Sequence, residues 1–135
     1  MHAPHLTHSC LRPTVDDINY NSVIMGRSHL GAFEQLLLYA LLRIGSSEFA
    51  AGLEVARTIE ARTGRTISPG AIYTGLHRLE SRGLVTSRLG EPSPERGGKR
   101  RRLYRITAQG ARVLAASHAV LGEMARGLAP KLRSS

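Results

Sequence analysis

Gly83 divides this chain into two periodicities. Before it, three segments repeat their apolar residues at spacings of three and four. Beyond it, two short runs, LVTSRL and LYRIT, flank a stretch holding Pro92, Pro94, Gly97 and Gly98. The first pattern fits a helix with one face toward a core, and the second fits half-buried strands joined by a long turn. The 135 residues suit a single domain. The expected fold class is therefore mainly α with a small β-hairpin.

The first helix carries Phe33, Leu36, Leu37, Ala40, Leu41 and Ile44 on one stripe, with Leu38 and Leu42 on another, and ends at Gly45 to Ser47. A helix apolar beyond one stripe must be covered on more than one face. In so short a chain a partner subunit is one source of that cover. The second helix is expected over residues 51–62, with Leu53, Val55, Ala56 and Ile59 inward, and Ile67 after it reads as a brief strand. Ser68 followed by Pro69 is the clearest helix start in the chain. The serine hydroxyl caps an orphan amide, and proline lacks only an amide that would go unpaired. This third helix runs to about Arg82, with Gly83 placed to end it in a left-handed conformation. The strands are expected over 84–89 and 103–107, with a charged tip from Gly90 to Arg102. Thr107 caps a last helix from Ala108 to about Leu128, whose Leu114, Ser117, Leu121, Met124 and Leu128 form a heptad-like seam widened by Val113 and Val120. Residues 1–28 show no sustained period and are expected to form a flexible tail; Met25 offers a second start for translation.

Charge is distributed unevenly. The chain carries a formal +9, yet residues 1–31 balance Arg12 and Arg27 against Asp16 and Asp17. Between residues 88 and 105, Arg88, Arg96, Lys99, Arg100, Arg101, Arg102 and Arg105 face only Glu91 and Glu95. Such a local excess suits a polyanion, a solvated surface or a membrane-facing patch equally well when taken alone. Its place on a hairpin after three helices favours the polyanion, because that order is a winged helix-turn-helix, although a solvated tip stays open. Advancing about 100° per residue from Ile72, Leu76 and Leu79 fall within roughly 40° of it and form the buried stripe, and Gly75 leaves room for a neighbouring helix. The opposite face holds Gly70, Thr74, His77 and Ser81, flanked by Tyr73 and Arg78. Small and hydroxylated, it can enter a major groove and offer donors to base edges and phosphates. Bland readings stand beside these: Tyr73 as a core-edge ring, His77 as plain surface, Ser68 as a cap only. Arg78 has no carboxylate one turn away on either side, which leaves it for an external anion or for solvent. The expected DNA-binding residues are Ser68, Gly70, Tyr73, Thr74, His77, Arg78, Lys99, Arg100 and Arg101.

Four stretches, GAFEQLLLYALL from Gly31, IEARTG from Ile59, SPGAIYTGLHRLESRGLV from Ser68 and GKRRRLYRITAQGARVL from Gly98, together resemble the PadR family of transcriptional regulators. The resemblance covers about residues 30–114. It rests on the spacing of Tyr73, Leu76, Leu79 and Gly83 followed by Tyr104, Thr107 and Gly110. It implies a winged-helix homodimer, usually a repressor, whose C-terminal helix packs on the partner's first helix. Ser68, Tyr73, Thr74 and Arg78 would then lie in two recognition helices set in successive major grooves of a palindrome. Two departures stand out: Ala51 occupies a place that is often aromatic, with Phe49 nearby, and Thr74 follows the helix tyrosine where many members have proline. The short last helix resembles the compact subgroup.

These readings give a tail over 1–28, a winged helix-turn-helix over 29–107 and a dimerisation helix over 108–130. The expected dimer contacts are Phe33, Leu37, Leu41, Leu114, Leu121, Met124 and Leu128. Partners are double-stranded DNA, a second copy, and an unidentified small-molecule effector if one exists. The longest apolar run, Leu36 to Leu42, is far shorter than the roughly 20 residues a bilayer span requires. No basic-then-apolar leader opens the chain, so no membrane is expected and the setting reads as cytoplasmic. The single cysteine, Cys10, agrees. Catalysis is not expected: aspartate stops at Asp17, and no phosphate loop or dinucleotide fingerprint occurs. No cofactor or metal site is assigned. Two alternatives remain open, a winged helix serving protein or RNA contacts and a metal-responsive regulator using His2, His5, His8 and Cys10.

Overall fold

A computed structural model describes residues 30–134, which fall in two compact units: Gly31–Ala111, and a second holding Leu30 and residues 112–134. The expected tail, the alternative start at Met25 and the donor group of His2, His5, His8 and Cys10 lie outside the described residues.

In the first unit, α1 (Ala32–Ile44), α2 (Gly52–Thr63) and α3 (Pro69–Ser81) pack against one another. The strands β2 (Val85–Pro92) and β3 (Arg100–Ile106) follow, joined through a 3-10 turn at Pro94–Arg96. A short strand absent from the sequence reading, β1 (Ala50–Ala51), completes an antiparallel sheet in the order β1-β3-β2, with Ala50 opposite Tyr104. Two alanines carry neither a period nor β-branched bulk, so nothing local marks them as a strand; pairing with β3 makes them one. Ile67 forms no strand. The fold class is as expected, mainly helical with a small sheet in a winged-helix arrangement.

The core explains the order. Leu37, Leu38 and Leu41 of α1 meet a unit closed by Val55 and Ile59 of α2 and Ile72, Leu76 and Leu79 of α3, all at most 3% exposed. Burying a leucine or isoleucine contributes about 1.5–3 kcal/mol, so these eight side chains dominate the unit's cohesion. Leu37, Leu38, Ala40 and Leu41 of α1 are buried, with α2, α3 and β3 among its neighbours, whereas Leu42 on the second stripe stays 38% exposed. At Gly75 the α1 side chains come closest: an added Cβ would sit 2.5 Å from Leu37 Cδ1 and 2.9 Å from Phe33 Cε2.

Local signals fix the ends of α3. Ser68 Oγ accepts from the Ala71 amide at 3.2 Å. At the other end Gly83, at φ +78, lets its own amide reach Glu80 and lets Leu84 reach back to the Leu79 carbonyl. Leu84 thereby turns into β2. Thr107 closes the hairpin onto this turn: its hydroxyl donates to the Gly83 carbonyl at 2.8 Å and accepts from the Gly110 amide at 2.9 Å, capping α4 (Ala108–Ala125). In the second unit α4 stops at Ala125, short of the expected Leu128. Gly127 adopts φ +79 and Pro130 follows, a pairing that ends one helix and opens the short α5 (Ala129–Arg133).

Candidate nucleic-acid interface

The outward face of α3 is built by elimination. With Ile72, Gly75, Leu76 and Leu79 fully committed inward, Ser68, Gly70, Tyr73, Thr74, His77, Arg78 and Ser81 are left exposed. Arg78 makes no side-chain hydrogen bond or ion pair among the described residues; only its carbonyl is engaged, accepting from Ser81 Oγ at 2.8 Å and from the Arg82 amide. Arg82, one turn on, is instead used structurally, donating from Nη1 to both carboxylate oxygens of Glu34 on α1 at 3.1 and 3.2 Å. One arginine of this helix thus anchors it and the other presents its guanidinium outward.

Tyr73 is a core-edge ring that stays partly exposed. Its ring lies over the start of α2, where a Cβ on Gly52 would come within 2.6 Å of Cζ. It also meets the Tyr104 ring at 6.2 Å between centroids. Yet 39% of the residue remains exposed. The ring is held as part of a wall while an edge reaches the surface. Behind it, burial raises the Tyr104 hydroxyl pKa above its ordinary value, helped by the Glu80 carboxylate and opposed by Arg102.

The hairpin redistributes the basic run. The expected tip from Gly90 to Arg102 is shorter, because the strands extend to Pro92 and begin again at Arg100. Lys99 lies on the tip, whereas Arg100 and Arg101 lie on β3, all three exposed. Side chains alternate across a strand, so the four consecutive cations cannot share one face. Arg102 falls on the side of Tyr104 and Ile106, and its Nη1 donates to Ser87 Oγ at 3.0 Å. Ser87 Oγ donates in turn to Glu80 Oε2 of α3 at 2.6 Å. This relay ties the last turn of α3 to both strands. On the other side Arg88 and Arg105 each place a guanidinium 4.6 Å from the centre of the Phe49 ring. Neither the relay nor the stacked pair is legible in the sequence; the only signal is Phe49 standing immediately before the strand-forming alanines.

The residues expected at a subunit contact separate into two groups. Leu37, Leu41 and Leu114 are at most 2% exposed in the single chain, so they are core leucines with no surface left for a partner. Phe33 is half-buried, while Leu121, Met124 and Leu128 are exposed at 53%, 74% and 38%, joined by Leu132 at 65%. No helix among the described residues is long and apolar enough to cross a membrane, and none of their His, Cys, Asp or Glu side chains cluster in a way that could hold a metal ion.

Three helices, a capped third helix with an uncommitted outer face, and a basic hairpin tied to it define a winged helix-turn-helix of the kind that regulates transcription. Residues 41–116 match the PadR-like family of transcriptional regulators, and the chain belongs to that family. Members of that family are transcription regulators, not enzymes. The chain is 39% identical over 66 residues to the transcriptional regulator Rv3488 of Mycobacterium tuberculosis, a match covering 49% of this chain and 58% of that protein. The fold is similar to that of transcriptional regulator TA0346 from Thermoplasma acidophilum, with TM-score 0.59 and 26% identity over 74% of this chain and 91% of the other. It is also similar to a PadR family transcriptional regulator from Eggerthella lenta, with TM-score 0.57 and 29% identity over 75% and 84%.

Proposed function

We propose that this chain binds a palindromic duplex operator as a symmetric homodimer and represses transcription there, in the cytoplasm. In this reading residues 29–107 read and grip DNA, 108–130 join the two copies, and 1–28 form a tail. The observation that carries it is the outer face of α3: Thr74, His77 and Arg78 are exposed, and Arg78 is uncommitted among the described residues. Such a face reads bases, while Ser68, Tyr73, Lys99, Arg100 and Arg101 supply sequence-independent grip on phosphates. Two-fold symmetry is supported by the exposed Leu121, Met124 and Leu128, which a second copy would cover, and it matches half-sites about one helical turn apart. Repression rests on the family resemblance, and an effector, if one acts, is a small molecule of unassigned structure. Selection of bound fragments from a random duplex pool tests the reading. Enrichment of an inverted repeat with half-site centres about 10 base pairs apart is the expected result; recovery of unrelated duplexes at equal frequency would refute it.

A further inference from the structure

Between the C-terminal halves of α1 and α2 lies an open groove of about 290 Å³ lined by Leu36, Tyr39, Ala40 and Arg43 of α1 and Thr58, Ile59, Arg62 and Thr63 of α2. Its floor is apolar. The two threonines add methyl groups rather than donors, since Thr58 Oγ1 donates to the Glu54 carbonyl and Thr63 Oγ1 to that of Ile59, at 2.9 and 2.8 Å. Charge enters through Arg43 and Arg62 alone. Neither forms an ion pair among the described residues, and no carboxylate lines the groove. Each arginine has a local reason for its place, in the last turn of a helix where a cation offsets the carbonyl dipoles. Those dipoles amount to about half a negative charge per helix, so two guanidiniums leave the mouth with a surplus of about one positive charge.

We propose that this groove is a binding site for a small amphipathic monoanion, a carboxylate paired with Arg43 and Arg62 at the mouth and an aliphatic body on Leu36, Ala40 and Ile59. The volume sits at the small end of the usual range for ligand sites, which begins at roughly 300 Å³, and suits a medium-chain acid rather than a cofactor. The chain's own C-terminal segment is a poor occupant: residues 124–134 carry Arg126, Lys131 and Arg133 and no acidic side chain, so a second copy would bring like charge to the two arginines. The site stands independently of the DNA reading, although the helices that form it are the ones against which α3 packs.

The test is titration of the full chain with octanoate, observed through the methyl resonances of Leu36, Ala40 and Ile59, with octanol and octylammonium as controls. Octanoate is expected to shift these three sets saturably, and octylammonium to leave them unmoved. The Arg43→Gln/Arg62→Gln double variant, altered only at two exposed side chains, is expected to bind about tenfold or more weakly, the loss of at least one charge-assisted contact. Equal response to octanol or octylammonium overturns the proposal, since the groove would then take any apolar chain. So does an unchanged affinity in the double variant. Methyl shifts that change on dilution without any octanoate also overturn it, because the groove would then be a contact between copies. Should the double variant fail to fold, the three-ligand comparison on the unaltered chain decides alone.

Discussion

Gly75 shows how a single missing methyl sets the approach of two helices. Leu37 and Phe33 occupy the space a Cβ would take, and Leu37 is fully buried and cannot swing away. Gly75→Ala gains about 1 kcal/mol of helix propensity and loses about 1–3 kcal/mol to overpacking. A net loss is expected, read as a fall of several degrees in the thermal midpoint followed by circular dichroism. Tyr104 makes a second residue-scale prediction. Its folded-state pKa is raised, first by burial and then by Glu80, above the ordinary value of 10.0. Its protonated hydroxyl therefore supports folding fully below about pH 10, and that support is lost as pH climbs through the raised value. Urea midpoints should fall on the alkaline side, and Tyr104→Phe should make that fall shallower. The helical period of α3 was legible at this scale, since Ile72, Leu76 and Leu79 are inward and Thr74 and His77 outward. Leu37 and Leu41, expected at a partner, are already buried in the single chain: a sequence shows that a stripe needs cover without showing which element supplies it.

Among the elements, α3 and the hairpin divide the work on DNA in the proposed reading, and the division has a measurable signature. Thr74→Ala or Arg78→Ala should lower affinity for the preferred site by roughly tenfold or more while leaving random duplex nearly unaffected, since a base-edge contact carries about 1–3 kcal/mol of discrimination. Replacing Lys99, Arg100 and Arg101 together should weaken both duplexes alike and reduce the slope of log affinity against log salt by up to about 2.7, near 0.9 for each phosphate released. Titrations by fluorescence anisotropy at several salt concentrations check both. Arg102 is left out of that set because it is spent on Ser87. The run of cations was legible in the sequence; its partition was not, because that depends on strand register, and the register extends to Pro92 opposite Arg100 across an irregularity after Leu89.

For the whole molecule, the proposed hold on two half-sites requires that two copies join. Leu121, Met124, Leu128 and Leu132 leave an exposed apolar series along α4 and α5. Met124→Glu combined with Leu121→Glu places two carboxylates in that series. The double variant is expected to sediment as a monomer at micromolar concentration and to lose most affinity for a paired operator while retaining its weak hold on one half-site. A variant that still sediments with the unaltered chain would place the contact elsewhere. The break at Gly127 escaped the heptad reading because Leu128 happens to keep the spacing after the helix has stopped.

The alternation of β3 has an outcome for how this chain can drift. Adding or removing a residue between Ser93 and Gly98 changes only the length of a solvent-facing bend, and every arginine keeps its side. Loss of Arg102 is a different event: the cations before the gap trade sides, and the guanidinium that had been holding Ser87 is replaced by that of Arg101. Descendants of this gene should accordingly vary freely in the bend while the count of residues from the first strand arginine to Tyr104 stays constant.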